Sequence, residues 1–203
     1  RFILVTGVQT CALPILAAYI DSLVEDLGKR TADVAQRPTV YVGAVSFRGQ
    51  QPFTATQAPY PPLALLNTRS IADELGREGF VNVDFEYILR KDPDYIFIDE
   101  NNLQIVLQDF QKDRGKYCQL RAFREGRVYG LLPFNHYWTN IATAFANAYY
   151  MGKVLYPDRF ADVDPVAKAD EIFRAFLGKP LYEEYVKNGY PGFRPLVDLF
   201  NCG

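Results

Sequence analysis

The chain has 203 residues, 49% of them apolar and 23% charged, with a formal net charge of −2. That suits one folded domain with material for a sizeable core, and a weakly acidic balance without basic runs argues against a nucleic-acid partner. No stretch is long and apolar enough to cross a membrane.

The first segment that needs a decision is VTGVQTCALPI, residues 5–15. It lacks the charged lead and sustained apolar core of a signal peptide. It could be a buried strand ending in a turn at Pro14. A better fit is that all eleven residues match, in one frame, the translation of a common sequencing-library adapter. Residues 1–15 are therefore expected to be an adapter-derived artefact, with the native chain entering near Leu16 and its upstream part missing.

LAAYIDSLVEDLGKR then puts Leu16, Ile20, Leu23 and Leu27 on one face of a helix that must end before Pro38. TVYVGAV (39–45) reads as a strand buried on both sides. The next seventeen residues, SFRGQQPFTATQAPYPP, show neither helical nor strand periodicity and are expected to be a long functional loop. VDFEYILRKDP reads as a short helix capped by Asp84 and ended before Pro93. DYIFID (94–99) is a strand, and NNLQIVLQDFQKD is an amphipathic helix facing inward through Leu103, Val106, Leu107 and Phe110. RVYGLL (127–132) is a third strand. Past the FNHYW loop, a helix is expected to bury Ile141, Ala144, Phe145, Ala148 and Leu155. The following helix has Asp164 as N-cap, Pro165 in its first turn and Gly178 as its stop, and PLYEEYVKNG closes the helical content.

Strands alternating with helices predict an α/β fold with a mainly parallel sheet flanked by helices. Ligands of such sheets lie outside the carboxyl ends of the strands, which here carry SFRGQQ, DENN and PFNHYW. Beyond the strand ends, 14 Tyr and 15 Phe suit a filled core or the wall of a pocket for a bulky ligand. In FNHYW, the rings Phe134, Tyr137 and Trp138 stand with Asn135 and His136 in one loop, and a ligand wall explains that set better than solvent exposure does. Arg48, beside Ser46 and Phe47, is either simply solvated or a clamp for a carboxylate or phosphate. No G-x-S-x-G, phosphate-loop or H-E-x-x-H motif is present. Asp99 and Glu100 could serve as metal ligands or as acid and base together with His136, the single histidine. Their structural alternative is a solvated strand end that caps the next helix. Outside residues 1–15 the cysteines are Cys118 and Cys202. They could pair in an oxidising compartment, but a frayed C-terminal tail would leave them apart.

Four segments in order resemble the substrate-binding proteins of iron-chelate and vitamin B12 ABC transporters. VDFEYILRKDPDYIFID is similar to that family's short helix followed by a Pro-Asp strand. LRAFREGRVYGLLP is similar to its next helix end, Gly-Arg-Val-Tyr turn and strand, NIATAFANAYYMGKVLYPDRF to the helix that follows, and VYVGAVSFRG to the strand opening the second lobe. The resemblance implies a two-lobe periplasmic-binding fold in which 16–37 are the end of the interlobe helix and 38–203 the C-terminal lobe, the first lobe being absent. It implies a carrier without catalytic residues or cofactor, taking an iron chelate such as a siderophore, or a corrinoid, to an ABC permease. It places Ser46, Phe47, Arg48 and Phe134, Asn135, His136, Tyr137 and Trp138 near the ligand, and Glu86 at the permease. It also implies an extracytoplasmic location, periplasmic or lipid-anchored. The rival readings are a metal-dependent hydrolase using Asp99, Glu100 and His136, and a sensor lobe with no transporter.

Overall fold

The computed structural model describes the backbone of residues 6–136 and 138–203, and the side-chain surroundings of residues 13–135 and 138–203. Residues 1–5, Tyr137 and the His136 side chain lie outside that description. In chain order the elements are α1 (Thr6–Thr31), β1 (Val40–Gly43), β2 (Ala55–Ala58), α2 (Pro61–Leu65), β3 (Gly79–Asn82), α3 (Phe85–Lys91), β4 (Tyr95–Asp99) and α4 (Leu103–Lys112). They continue with α5 (Arg114–Tyr117), α6 (Arg121–Arg124), β5 (Val128–Leu131), β6 (Asn135–His136), β7 (Trp138–Thr139), α7 (Ile141–Leu155), α8 (Pro165–Leu177) and α9 (Tyr182–Lys187).

The organising element is a parallel sheet in the order β1-β4-β5, with Val42 opposite Phe97 and Phe97 opposite Tyr129. Alternate residues of its strands serve two cores. Val40, Val42, Phe97 and Leu131 join side chains of α1, α2, α7 and α8 on one face. Tyr41, Ile96, Ile98 and Val128 join α3, α4, α6 and the C-terminal segment on the other. Burial on both faces explains why these strands read as continuous apolar runs. It also leaves the strand ends as the sheet's open edges.

Residues 6–15 are helical, part of α1, which removes the alternative of a strand with a turn at Pro14, and Leu13 and Ile15 stand in solvent. Three expectations need correction. The stretch after β1 is not wholly loop: β2 lies inside it and pairs antiparallel with β3. Its sequence, ATQA, has one β-branched residue in four, so the strand rests on its pairing with β3 rather than on propensity. Helix α7 is buried on nearly all sides because α1, α2 and α8 surround it, whereas Ile141, expected inside, is 53% exposed at its first turn. Asp84 stands at the N-cap of α3, yet its side chain makes no capping bond. Asp164 does cap α8, accepting from the Val166 and Ala167 amides, and Gly178 ends that helix with a φ of 78°.

Helix α1 is tied to the body through polar contacts. Arg30 makes a two-pronged ion pair with Asp162 at 2.7 and 2.9 Å, and Asp26 accepts from Tyr149 Oη at 2.8 Å.

The C-terminus is likewise not frayed. Leu196 and Phe200 are buried, the Leu196 amide donates to the Val128 carbonyl at 2.8 Å, and Cys118 and Cys202 form a disulfide across 84 residues. A tail reads as loose when only its own residues are considered. Here a ring cluster of Phe110, Phe123 and Phe200 holds it. Closing a loop of that length removes enough freedom from the unfolded chain to stabilise the fold by about 4 kcal/mol. Urea denaturation with and without reductant should reveal a loss of that order, and identical curves would show that the cross-link contributes nothing.

Candidate ligand-binding cleft

The cleft is built where β1, β4 and β5 end. Strand β4 runs into a tight turn, Glu100–Asn102, and this turn holds the loop that leaves β1. Asp99 accepts the Ser46 amide at 2.9 Å and the Asn101 amide at 3.0 Å. Asn102 donates to the Ala44 carbonyl at 2.9 Å and to Ser46 Oγ at 3.2 Å, and its own carbonyl receives the Gln51 amide at 3.1 Å. Asn101 also donates to Ser46 Oγ, at 3.1 Å. Residues 46–51 are thus fastened at both ends by one turn. Ser46 is 1% exposed and its hydroxyl is occupied by these amides.

Between the fastenings, Phe47 and Arg48 project outward. Arg48 has a φ of 47°, and its guanidinium lies 5.4 Å from the centre of the Phe47 ring. It has no ion-pair partner among the described residues, so an incoming anion would meet a free guanidinium. Phe47 stacks on Phe80 of β3 with ring centres 4.0 Å apart.

The second wall follows β5. Asn147 of α7 receives the Leu132 amide and donates to its carbonyl, fixing where the chain leaves the sheet. Strands β6 and β7 then form a minimal antiparallel hairpin. Asn135 is clasped between Gln57, to which it donates at 3.2 Å, and Thr139, from which it accepts at 2.9 Å. Trp138, on the outgoing strand, is 87% exposed.

The two walls border a partly open cavity of about 140 Å³, with Ser46, Phe47 and Arg48 on one side and Asn135, Trp138 and Thr139 on the other. Five of the residues expected near a ligand therefore meet in one place. Phe134 does not. It is 3% exposed and packs edge-on against Tyr60, because the chain must re-enter the core before the hairpin. His136 contributes its backbone to β6, and Tyr137 falls outside the described residues.

Asp99 caps the helical turn that follows its strand, as the structural alternative expected, by accepting the Asn101 amide, but the strand end is not solvated. Asp99 and Glu100 are both buried, Asp99 is engaged by the cleft loop, and Glu100 accepts the Gly192 amide at 3.2 Å. Among the described residues no group of three or more His, Cys, Asp or Glu side chains is arranged to hold a metal ion. Glu86 lies in the first turn of α3, exposed and without an ion-pair partner among the described residues.

A helix-flanked parallel sheet with a cleft at its carboxyl edge defines an α/β lobe of the periplasmic-binding type. The periplasmic binding protein family model matches residues 15–133, more than half of the chain, and the protein belongs to that family. No curated protein sequence matches it. Among solved structures it is similar to the TroA-like periplasmic binding protein FepB from Veillonella parvula, at 23% identity and a TM-score of 0.61, over 82% of this chain and 53% of that one. It is similar to an ABC transporter solute-binding protein from Sulfurospirillum deleyianum at 22% identity and a TM-score of 0.62, over 86% and 54%. A third is the molybdate-binding protein MolA of Haemophilus influenzae, bound to molybdate, at 20% identity and a TM-score of 0.59, over 79% and 51%. At these identities the likeness carries the fold. The chain spans about half the length of each of these structures.

Phe80, Thr139, Asn101 and Asn102 escaped sequence reasoning. The one available signal for the last two was a pair of short amides directly after a strand end, which favours local hydrogen bonding. Removing the Asn102 amide leaves the buried Ala44 carbonyl and the partly buried Gln51 N–H unpaired, so Asn102→Ala should lower the unfolding free energy by about 2 kcal/mol and speed amide exchange in residues 46–51. Exchange unchanged in that loop would show that the turn does not hold it.

Proposed function

We propose that this protein is a lobe of the substrate-binding component of an ABC importer, which takes an iron chelate or a corrinoid between two lobes and delivers it to the permease. The observation that carries this reading is the cavity in which a free arginine and an exposed tryptophan meet at the carboxyl edge of the sheet, in a chain of the periplasmic binding protein family. An unpaired guanidinium suits the anionic groups of a metal chelate. The ring surfaces of Phe47, Phe80 and Trp138 suit its bulky, partly apolar body. A cavity of this size would hold one face of such a cargo, leaving the other face to an opposing lobe that closes on it.

The lobe acts as a carrier rather than an enzyme, a reading supported by its family and by Asp99, which is engaged by two backbone amides. The Cys118–Cys202 disulfide supports an oxidising, extracytoplasmic location, periplasmic or lipid-anchored. Glu86, exposed in the first turn of a short helix and not among the residues lining the cavity, offers the permease an acidic contact.

One paired experiment separates the two roles in the two-lobed protein carrying this lobe. Arg48→Gln should weaken ferric-siderophore or cobalamin affinity by about tenfold or more in titration calorimetry, the loss of a charge-assisted contact. Glu86→Arg should leave that affinity intact and abolish uptake. If Arg48→Gln binds as tightly as the parent, the cavity is not the cargo site; if uptake survives Glu86→Arg, the docking role fails.

A further inference from the structure

The cavity beside Arg48 has a volume of about 140 Å³. Pockets that enclose a whole ligand run to roughly 300–1,000 Å³. A second, open cavity of about 560 Å³ lies at α9 and the segment after it, lined by Leu181, Glu184, Tyr185, Asn188 and Tyr190.

Two tyrosine hydroxyls of this cavity reach the residues behind the cleft walls. Tyr190 Oη lies a long 3.5 Å from Asn101 Oδ1, and the Asn101 side chain donates in turn to Ser46 Oγ. Tyr185 Oη shares a hydrogen bond with Thr143 Oγ1 at 3.1 Å, and the Thr143 backbone amide donates to Asn140, the residue after Thr139. One tyrosine thus meets the wall that carries Phe47 and Arg48, and the other meets the wall that carries Trp138 and Thr139. Their rings are 5.8 Å apart.

The segment that presents them is firmly held. The Leu181 and Tyr182 amides donate to Asp170 at 3.0 Å, the Tyr190 amide to the Tyr185 carbonyl at 3.2 Å and the Phe193 amide to Tyr182 Oη at 2.7 Å. Phe193 stacks on Tyr150 with ring centres 4.4 Å apart, and Leu196 is fully buried. A surface fixed in this way needs little further ordering when a ligand arrives.

Its chemistry differs from that around Arg48. No lysine or arginine lines the second cavity. Lys187, on the same helix, is engaged by acids, 3.2 Å from Glu183 and 3.8 Å from Glu184. Two phenols, an amide and a carboxylate offer hydrogen-bond acceptors, and the tyrosine rings offer flat apolar faces. Such a lining suits a neutral group that donates hydrogen bonds and disfavours an anion.

We propose that Tyr185 and Tyr190 form a third wall of the cargo site, and that the cavity they line takes a neutral, amide- or hydroxyl-bearing arm of a chelate whose anionic centre lies at Arg48. The inference rests on the carrier reading and divides the cargo into two chemically distinct parts.

The test maps backbone amide shifts of the 203-residue chain during titration with two diamagnetic probes, gallium citrate and gallium schizokinen. Schizokinen keeps the citrate centre and adds two neutral, amide-linked hydroxamate arms. Gallium citrate should move residues 46–48 and 138–139 alone. Gallium schizokinen should also move residues 181–190, saturably. Tyr190→Ala should weaken schizokinen binding by about tenfold, the loss of a ring contact, and leave citrate binding as before. Should that variant not fold, Glu184→Ala with Asn188→Ala gives the same readout, because both side chains are exposed. Schizokinen shifts confined to residues 46–48 and 138–139, or undiminished affinity in the variants, would overturn the third wall and leave the carrier reading standing. Silence at both places with both probes would overturn the third wall and the carrier site together.

Discussion

The cleft depends on the Asp99 carboxylate. A sheet buried on both faces can offer a ligand only its carboxyl edge, and that edge becomes a site only if the chains leaving it are held still. Asp99, itself 2% exposed, receives two backbone amides, one from its own turn and one from Ser46, 53 residues earlier. Charge-assisted bonds of this kind are about twice as strong as neutral ones. They convert a long, Gly-containing loop into a platform whose free side chains, Phe47 and Arg48, point outward. Asn101 and Asn102 complete the same fastening with neutral amides.

The opposite wall is fixed by different means. Asn147 anchors the exit from β5, and Asn135 bridges Gln57 and Thr139, so side-chain amides hold the described part of the hairpin. Its apolar surface is left over for other use. Trp138 is 87% exposed and Phe47 is 42% exposed, and both border one cavity. Exposed rings scattered over a surface mean little, but these two lie together beside Arg48, which has no ion-pair partner among the described residues, and that grouping supports the proposed cargo site.

Much of the architecture was legible because its signals were local. The runs VYVG, YIFID and VYGL are apolar without alternation, as strands covered on both faces must be. Asp164, Pro165 and Gly178 bound their helix through side-chain and backbone preferences of their own. What escaped was fixed by distant partners: β2 by β3, Cys202 by Cys118, and Phe134 by Tyr60. The same holds for the cleft. The positions of Ser46, Phe47, Arg48 and Trp138 were readable from strand ends, but Phe80 arrives from β3 and Thr139 from beyond the hairpin, through contacts no spacing reveals. Asp99 and Glu100 read alike in sequence and part company only when one meets Ser46 and the other Gly192.

The proposed cargo would meet the wall formed by the hairpin, and this chain carries a built-in reporter there, because Trp138 is its single tryptophan. Ferric chelates quench nearby indole fluorescence, so titrating a ferric siderophore into the proposed two-lobed protein, with Trp138→Phe as the reference, measures contact at that wall directly. A saturable quench carried by Trp138 and following the calorimetric binding curve is the expected result. Tight binding with Trp138 emission unchanged would put the cargo elsewhere and contradict the account.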